Sequence, residues 1–450
     1  MIEPIARPRR APAPRFRTPL GFFIEARRDP FGYPAALAAE FGDVVRIPGP
    51  FRGHILFHPD HVKHVLQDNN RNYVKGKLIA KAKPLLGEGL FTSEGDFWRR
   101  QRRLAQPAFH RQRIESFATT MTDATTRALD RWQSARSGPF DLMAAMSDLT
   151  LGIVGRTLFS IDLAGDSNEV GRAMLVALEH LTHLVTHPFA LPLAIPTPRN
   201  LRFRRARREL DRVVFDIIAQ RRRSGADAPD FLSMLLQASD ADTGERMSDR
   251  QLRDEVMTFV LAGHETTAVT LAWTWHLLAD HPDVESRLRA EVAAALGNRV
   301  PTIADLPQLR FTRQVVDETL RLYPPVSGIG RQAINTDEVG GFEIPANSVI
   351  FLSPYVTHRH RDWWDNPDQF DPDRFTPERS ASRHRFAYFP FSGGPRLCIG
   401  NEFALMEAQL ILAMIVQRYR LTRVPGHTPQ PELRVTMRPR NGVLMTLHPA

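Results

Sequence analysis

A single cysteine, Cys398, stands in a chain of 450 residues. That scarcity excludes an internal disulfide and any zinc or iron–sulfur site built from several cysteines. It also suits a reducing compartment. Long apolar runs are lacking as well. The longest near the N-terminus, Leu20 to Ile24, is too short for a signal peptide or a membrane span, and no later run reads as long enough. These absences favour a cytoplasmic chain without a transmembrane segment. Neither an internal repeat nor a long low-complexity tract is present. Basic charge is plentiful: the net +9 comes mainly from arginine and is compatible with nucleic acid, an anionic membrane or an acidic protein. Hydrophobic residues (42%) and charged residues (24%) are at ordinary globular levels, so the chain can bury a large core.

Residues 1–19 are rich in Pro and Arg and read as an irregular lead-in; 20–450 read as one domain. Two β-like runs flank a Pro/Gly turn within 44–57, and helical periodicity dominates from about 95 to 325. Ser248 and Gln251 form a capping-box pair, and the apolar pattern after them persists through Leu278 until Asp280-His281-Pro282. A helix that long and apolar on several faces belongs in the middle of a molecule. Further helices are expected from Pro282 to Gly297, from Leu309 to Tyr323 before Pro324-Pro325, and from Gly400 to Tyr419. Strand-like stretches fall near 43–58, 326–356 and 420–450. The expected fold is mainly α with a smaller β-rich subdomain. Residues 357–398 form a long turn-rich segment leading to the lone cysteine, and long irregular segments are usually functional.

That cysteine lies in Phe391-Ser392-Gly393-Gly394-Pro395-Arg396-Leu397-Cys398-Ile399-Gly400. The glycines permit a tight loop whose backbone N–H groups can face the sulfur. The following helix presents its positive end to it, favouring a thiolate. Phe391 can shield the sulfur, and Arg396 can reach an anionic ligand edge. The competing reading is a small buried hydrophobe, the usual fate of a free cysteine. The segment resembles the haem-binding signature of the cytochrome P450 superfamily, Phe-x-x-Gly-x-Arg-x-Cys-x-Gly, at every fixed position from Phe391 to Gly400. The resemblance implies haem held by a cysteine thiolate, a general property of that family.

Further motifs follow the same family order. Glu318-Thr319-Leu320-Arg321 is similar to Glu-x-x-Arg, a spacing that is commonplace alone but here sits on an apolar helix ended by two prolines. Pro372-Asp373-Arg374-Phe375 resembles Pro-Glu-Arg-Phe, with Asp373 in place of Glu. The resemblance implies that Glu318, Arg321 and Arg374 share a buried charge network that is structural. Ala262-Gly263-His264-Glu265-Thr266-Thr267 resembles the oxygen-activation segment. There Gly263 would let the helix open, Thr266 would turn from the helix toward bound oxygen, Glu265 would relay protons, and Ala262 would lie against the cofactor. Trp98 and Arg102 resemble the Trp-x-x-x-Arg pair that meets haem propionates, and Arg331 a third such partner. Leu90, Phe91, Val326 and Ile329 are expected at an apolar substrate pocket.

The resemblance implies haem b between the long helix and the cysteine-loop helix, Cys398 as axial ligand, and insertion of one oxygen atom from O2 into a lipophilic molecule. A fatty acid, terpenoid, steroid or polyketide fits equally. A haem-thiolate isomerase, dehydratase or peroxygenase, and a haem sensor or electron carrier, are the alternatives; intact Glu265 and Thr266 weigh against them. The chain carries no flavin or iron–sulfur segment, so electrons would come from a ferredoxin with its reductase, or a flavodoxin. Arg99, Arg100, Arg103, Arg383 and Arg385 would form the docking patch. No nucleic-acid module is recognisable, and a monomer is expected. His180, His183 and His187 share a helical face, a thin metal signal without a carboxylate. Residues 188–196 resemble an access-channel loop that could touch a membrane.

Overall fold

The computed structural model describes every residue except 1–8, 19, 50–51, 135–137, 162, 164–168, 188–189, 225–229 and 241–242. Part of the expected lead-in, the tip of the first hairpin, and Pro188 and Phe189 therefore lie outside the described residues. The chain forms two compact units interleaved in sequence. One comprises Met1–Ala80, Arg321–Phe370 and Pro377–Cys398; the other comprises Lys81–Leu320, Asp371–Thr376 and Ile399–Ala450.

The first unit is built on a five-stranded sheet with the order Val44–Ile47, Gly53–Leu56, Val349–Leu352, Ile329–Ala333, Tyr73–Val74. Its first two strands are the hairpin expected near 44–57, with Val44 opposite Leu56 and Ile47 opposite Gly53. Residues Val44, Leu56, Ile329, Ala333, Ile350 and Leu352 belong to one buried cluster. Along Ile329–Ala333 burial alternates, so Ile329, Arg331 and Ala333 share the buried face. Sequence patterning missed the short edge strand Tyr73–Val74. Its Tyr73 hydroxyl donates to Asp337 Oδ2 at 2.6 Å, where Asn69 also donates and His64 bonds.

The second unit is helical. Its axis is Asp249–Asp280, 32 residues long, opened by the expected reciprocal capping box between Ser248 and Gln251. It packs against Leu142–Phe159, Pro198–Ser224 and Asn401–Arg418. Trp273, fully buried on it, donates its indole N–H to the Met437 carbonyl at 2.9 Å. The expected helices appear at Pro282–Leu296, Arg310–Leu322 and Asn401–Arg418. Two small sheets complete the unit: Phe140–Asp141, Leu444–Pro449 and Tyr419–Arg423 form one, Gln430–Leu433 and Met437–Arg440 the other.

One expectation needs correction here. Leu142–Phe159 is long and apolar enough, by composition, to cross a membrane. It is a core helix, because 72% of that stretch is buried inside the protein. The sequence hides this because a helix packed on all sides by protein has the same composition as one packed by lipid.

Candidate active site

On the thiol side, the loop is fixed by its backbone. Cys398 N–H donates to Phe391 O at 2.9 Å, Leu397 N–H to Gly394 O at 3.1 Å, and Ser392 N–H to Phe389 O at 3.0 Å. Gly394 has φ +62°, and a Cβ there would stand 1.8 Å from the Leu66 carbonyl oxygen. Only glycine meets both conditions, so the loop is seated against that backbone by composition. Cys398 itself is exposed. Exposure sets aside the reading of a packed hydrophobe, and it leaves a rigidly held thiol open to a ligand. Phe391, Arg396 and Gly400 are each partly buried beside it in sequence. Gly400 is the N-cap of Asn401–Arg418, so the cysteine immediately precedes a helix N-terminus.

The long helix has a window. Every residue from Leu252 to Leu278 is buried except Ala262, Gly263 and Thr266. These three lie at i, i+1 and i+4, one small face of an otherwise enclosed helix. The expected local opening is not observed: helical structure is continuous from Asp249 to Asp280. Thr266 Oγ1 instead donates to Ala262 O at 2.8 Å. A hydroxyl four residues beyond a carbonyl on the same face meets it without strain, so the back-bond forms where nothing else accepts the proton. The oxygen's lone pairs remain available as acceptors.

Glu265 points away from that window. It is buried, and Arg438 Nη1 stands 3.7 Å from its Oε1. Burial raises its pKa, while Arg438 and the Thr436 hydroxyl oppose the rise. A carboxyl in this balance can both hold and release a proton. His264 is buried and its pKa falls to about 4 through desolvation, so it is neutral at pH 7.

The structural residues divide between the two units. Glu318, fully buried, accepts from Asp371 N–H at 2.9 Å and faces Arg374 Nε at 3.4 Å. Arg321, also fully buried, donates to the carbonyls of His358, Pro367 and Gln369 at 3.0, 2.5 and 2.9 Å and lies over the Trp364 ring. It therefore ties down the turn-rich segment through three backbone oxygens. Asp373 is bound on its surface side by Arg287, at 2.8 and 2.9 Å.

The remaining expected residues are distributed as follows. Trp98 is buried, and Arg102 bonds Gln106 through Nε at 2.9 Å. Arg331 is buried with Nη1 donating to Gly330 O. Phe91 and Val326 are exposed; Leu90 and Ile329 are buried in the cores of their units. Leu90 N–H donates to Glu255 Oε2 at 3.0 Å, which joins this stretch to the long helix.

The docking patch is corrected in part. Arg100 is partly buried and turns to the buried carboxylate Asp240, at 3.7 Å, and to Glu245; Arg103 is exposed and also reaches Asp240, at 2.6 Å. Burial of Asp240 demands compensation, and the nearest cations supply it. Arg99 pairs with Asp96 on the surface, Arg383 stacks on Trp364, and Arg385 is exposed. The three histidines of the helical face have other contacts. His180 stacks on Phe203 at 4.1 Å, and Arg199 takes His183 at 3.0 Å. Among the described residues no group of three metal-type side chains comes together.

Two groups were missed at the level of sequence: Arg438 and Glu407. The last had a signal, the one acid in the run Phe403–Val416, whose only other polar residue is Gln409.

A cytochrome P450 family model matches residues 12–446. The chain belongs to the cytochrome P450 family. It is 39% identical to cyclooctat-9-en-7-ol 5-monooxygenase of Streptomyces melanosporofaciens, over 91% of this chain and 89% of that one. It is likewise 39% identical to cyclooctatin synthase of the same organism (93% and 92% covered) and 35% to pentalenene oxygenase of Streptomyces avermitilis (92% and 91%). The crystal structure of the cytochrome P450DA heme domain superposes with a TM-score of 0.87 at 27% identity, covering 98% of each chain. This P450 is a haem-thiolate monooxygenase, and Cys398, its only cysteine, is the residue that would hold the iron.

Proposed function

We propose that this P450 oxygenates a terpenoid, a largely hydrocarbon ring system with few polar groups. The relatives named for cyclooctat-9-en-7-ol and pentalenene support that class. The observation that carries it is the window of the long helix, where two small residues and one hydroxyl are the only accessible groups among buried neighbours. Such a face excludes charged substrates and offers one hydrogen-bonding oxygen. Phe91 and Val326, both exposed apolar side chains, are proposed as further substrate contacts.

Haem, when bound, supplies the iron on which dioxygen is activated. Cys398 would hold it as thiolate. Trp98, Arg102, Arg331 and Arg396 are proposed partners of the propionates, by donor chemistry that matches carboxylates. Thr266, with its own proton given to Ala262 O, accepts a hydrogen bond at its oxygen; Glu265 stores a proton and returns it from the Arg438 side. A Thr266→Ala variant should go on consuming electron donor while product per electron pair falls several-fold and peroxide accumulates. Unchanged coupling would remove Thr266 from this role. In a spectral-titration screen, cyclic terpenes should shift the haem absorption at micromolar concentration and straight-chain fatty acids should not; the reverse order would refute the substrate class.

P450 enzymes draw electrons from redox partners, and a cytoplasmic acidic ferredoxin with its reductase is the donor proposed for this one. Arg385, which is exposed, is the contact proposed to attract it. Arg385→Glu should slow ferredoxin-dependent reduction and flatten its salt dependence, leaving chemical reduction by dithionite unaffected. An unaltered salt dependence would place the docking site elsewhere.

A further inference from the structure

Asp337 opens the short strand Asp337–Val339, yet its side chain makes more bonds than a strand end requires. It is 13% exposed, and its Oδ2 accepts from the Tyr73 hydroxyl at 2.6 Å, accepts from Asn69 Nδ2 at 2.9 Å and bonds His64 Nε2 at 2.8 Å. An ionised carboxylate oxygen offers about two lone pairs, so three donors saturate it. Burial by itself would raise this carboxyl. The hydrogen bonds from Tyr73, His64 and the Glu338 N–H outweigh burial and hold the pKa below its ordinary value. Tyr73 is pushed up, first by burial and then by Asp337, so it stays a donor.

The stretch held in this way has an unusual shape. Pro59–Lys63 is α-helical, but His64–Asp68 winds as a π-helical turn, closed by Asn69 N–H donating to His64 O at 2.8 Å. Such turns are rare and are found frequently at functional sites. The clamp spans this one, with His64 at its start and Asn69 just past its end. In its middle stands the Leu66 carbonyl. A Cβ on Gly394 would lie 1.8 Å from that oxygen and 3.2 Å from Gln67 Cα, so the Cys398 loop rests backbone on backbone against the turn. A side chain there could yield by changing rotamer; a main-chain carbonyl moves only with its helix. Upstream, the loop has contacts of its own: Phe389 N–H donates to His358 Nε2 at 2.9 Å, and a Cβ on Gly393 would stand 2.4 Å from the Phe386 ring. Downstream, Leu397 N–H returns to Gly394 O at 3.1 Å, so a displacement at Gly394 reaches the residue before the cysteine.

We infer that Asp337 is a positioning residue for the thiolate ligand. Through His64, Asn69 and Tyr73 it fixes the π-turn, holds the Leu66 carbonyl against Gly394, and so sets the place and rigidity of the loop that carries Cys398. Contacts beyond the ligand itself fix where a ligand sits and tune the metal it holds. The far end of the clamped stretch is tied separately. Ile334 N–H donates to Asn72 O and Asn335 N–H to Asn72 Oδ1, both at 2.8 Å, and Tyr73 pairs with Ala333. Loss of Asp337 therefore frees the π-turn and leaves the edge strand in place. The inference rests on the reading of Cys398 as the haem ligand.

Hydrogen exchange read by mass spectrometry on the haem-loaded enzyme tests the coupling, and the reduced carbon-monoxide spectrum tests its consequence. Asp337→Leu, similar in volume and unable to accept, should speed exchange several-fold in peptides covering 64–69 and 391–398. Exchange at 72–74 should stay as in wild type. The same variant should convert from the thiolate-type carbon-monoxide band to that of a neutral thiol several-fold faster in mild urea. Asp337→Asn, which keeps an accepting oxygen, should restore most of both. Val45→Ala is the control, since Val45 is buried in a separate cluster of the same unit. It should lower stability and leave both the spectrum and exchange at 391–398 unaltered. If Asp337→Leu failed to load haem, Tyr73→Phe and Asn69→Leu, each removing one donor, carry the same readouts at smaller size. A wild type without the thiolate-type band would refute the haem reading and leave exchange at 391–398 to judge the clamp. Faster exchange confined to 64–69, with wild-type exchange at 391–398 and a wild-type spectrum, overturns the proposal and leaves Asp337 a local contact. Spectral conversion equally fast in Val45→Ala overturns it too.

Discussion

A Cys398→Ser variant is expected to fold and to lose both the thiolate-type carbon-monoxide band and all turnover. A thiol ionises near pH 8.5 in water and lower before a helix N-terminus, whereas a serine hydroxyl stays protonated and binds iron poorly. The residue's loop does not depend on sulfur. It is held by Cys398 N–H to Phe391 O, by Leu397 N–H to Gly394 O, and by the seat of Gly394 against Leu66. Because the side chain is exposed, stability of the haem-free protein should change by no more than about 0.5 kcal/mol. Circular-dichroism melting of the haem-free form and the reduced carbon-monoxide spectrum of the loaded form separate the two effects. A variant that melts like wild type and keeps the wild-type band would contradict sulfur ligation at this position.

The second large effect belongs to Glu318 and Arg374. Removing either side chain leaves the other charge buried, since the two side chains are 0% and 4% exposed. The cost should be about 3–5 kcal/mol for Glu318→Ala or Arg374→Ala. The double variant should cost clearly less than the sum, because no charge is then stranded. The neighbouring pair of Arg287 and Asp373 has the better geometry, two hydrogen bonds at 2.8 and 2.9 Å, but its side chains are 54% and 39% exposed. Asp373→Ala should therefore cost only about 0–1 kcal/mol. Urea unfolding of all four variants checks the ranking. Equal losses at Asp373 and Glu318 would show that burial does not set the scale here.

The helices read from sequence appear nearly residue for residue where local punctuation marks them: Ser248 with Gln251, Pro282 with Gly297, and Pro324-Pro325 after Leu322. Those signals act within a few residues and need no tertiary partner. The strand Tyr73–Val74 was not readable, because two residues carry no period and gain their ladder only from distant Gln332 and Ala333. The back-bonded Thr266, the diversion of Arg100 and Arg103 to Asp240, and the pairing of Glu265 with Arg438 were likewise invisible. Each depends on a partner far along the chain or on which acceptor is nearest.

The sequence alone determined the chemistry that needs one unusual residue in a rigid local setting. A single cysteine, glycines that permit a tight loop, and a helix immediately afterwards point to a thiolate ligand within ten residues, Phe391 to Gly400. Tertiary structure decided the state of the protons. Whether Thr266 donates backward and whether Glu265 meets a cation depend on burial and on distances between side chains. Desolvation and hydrogen bonding fix those, and both arise only when separate segments pack together.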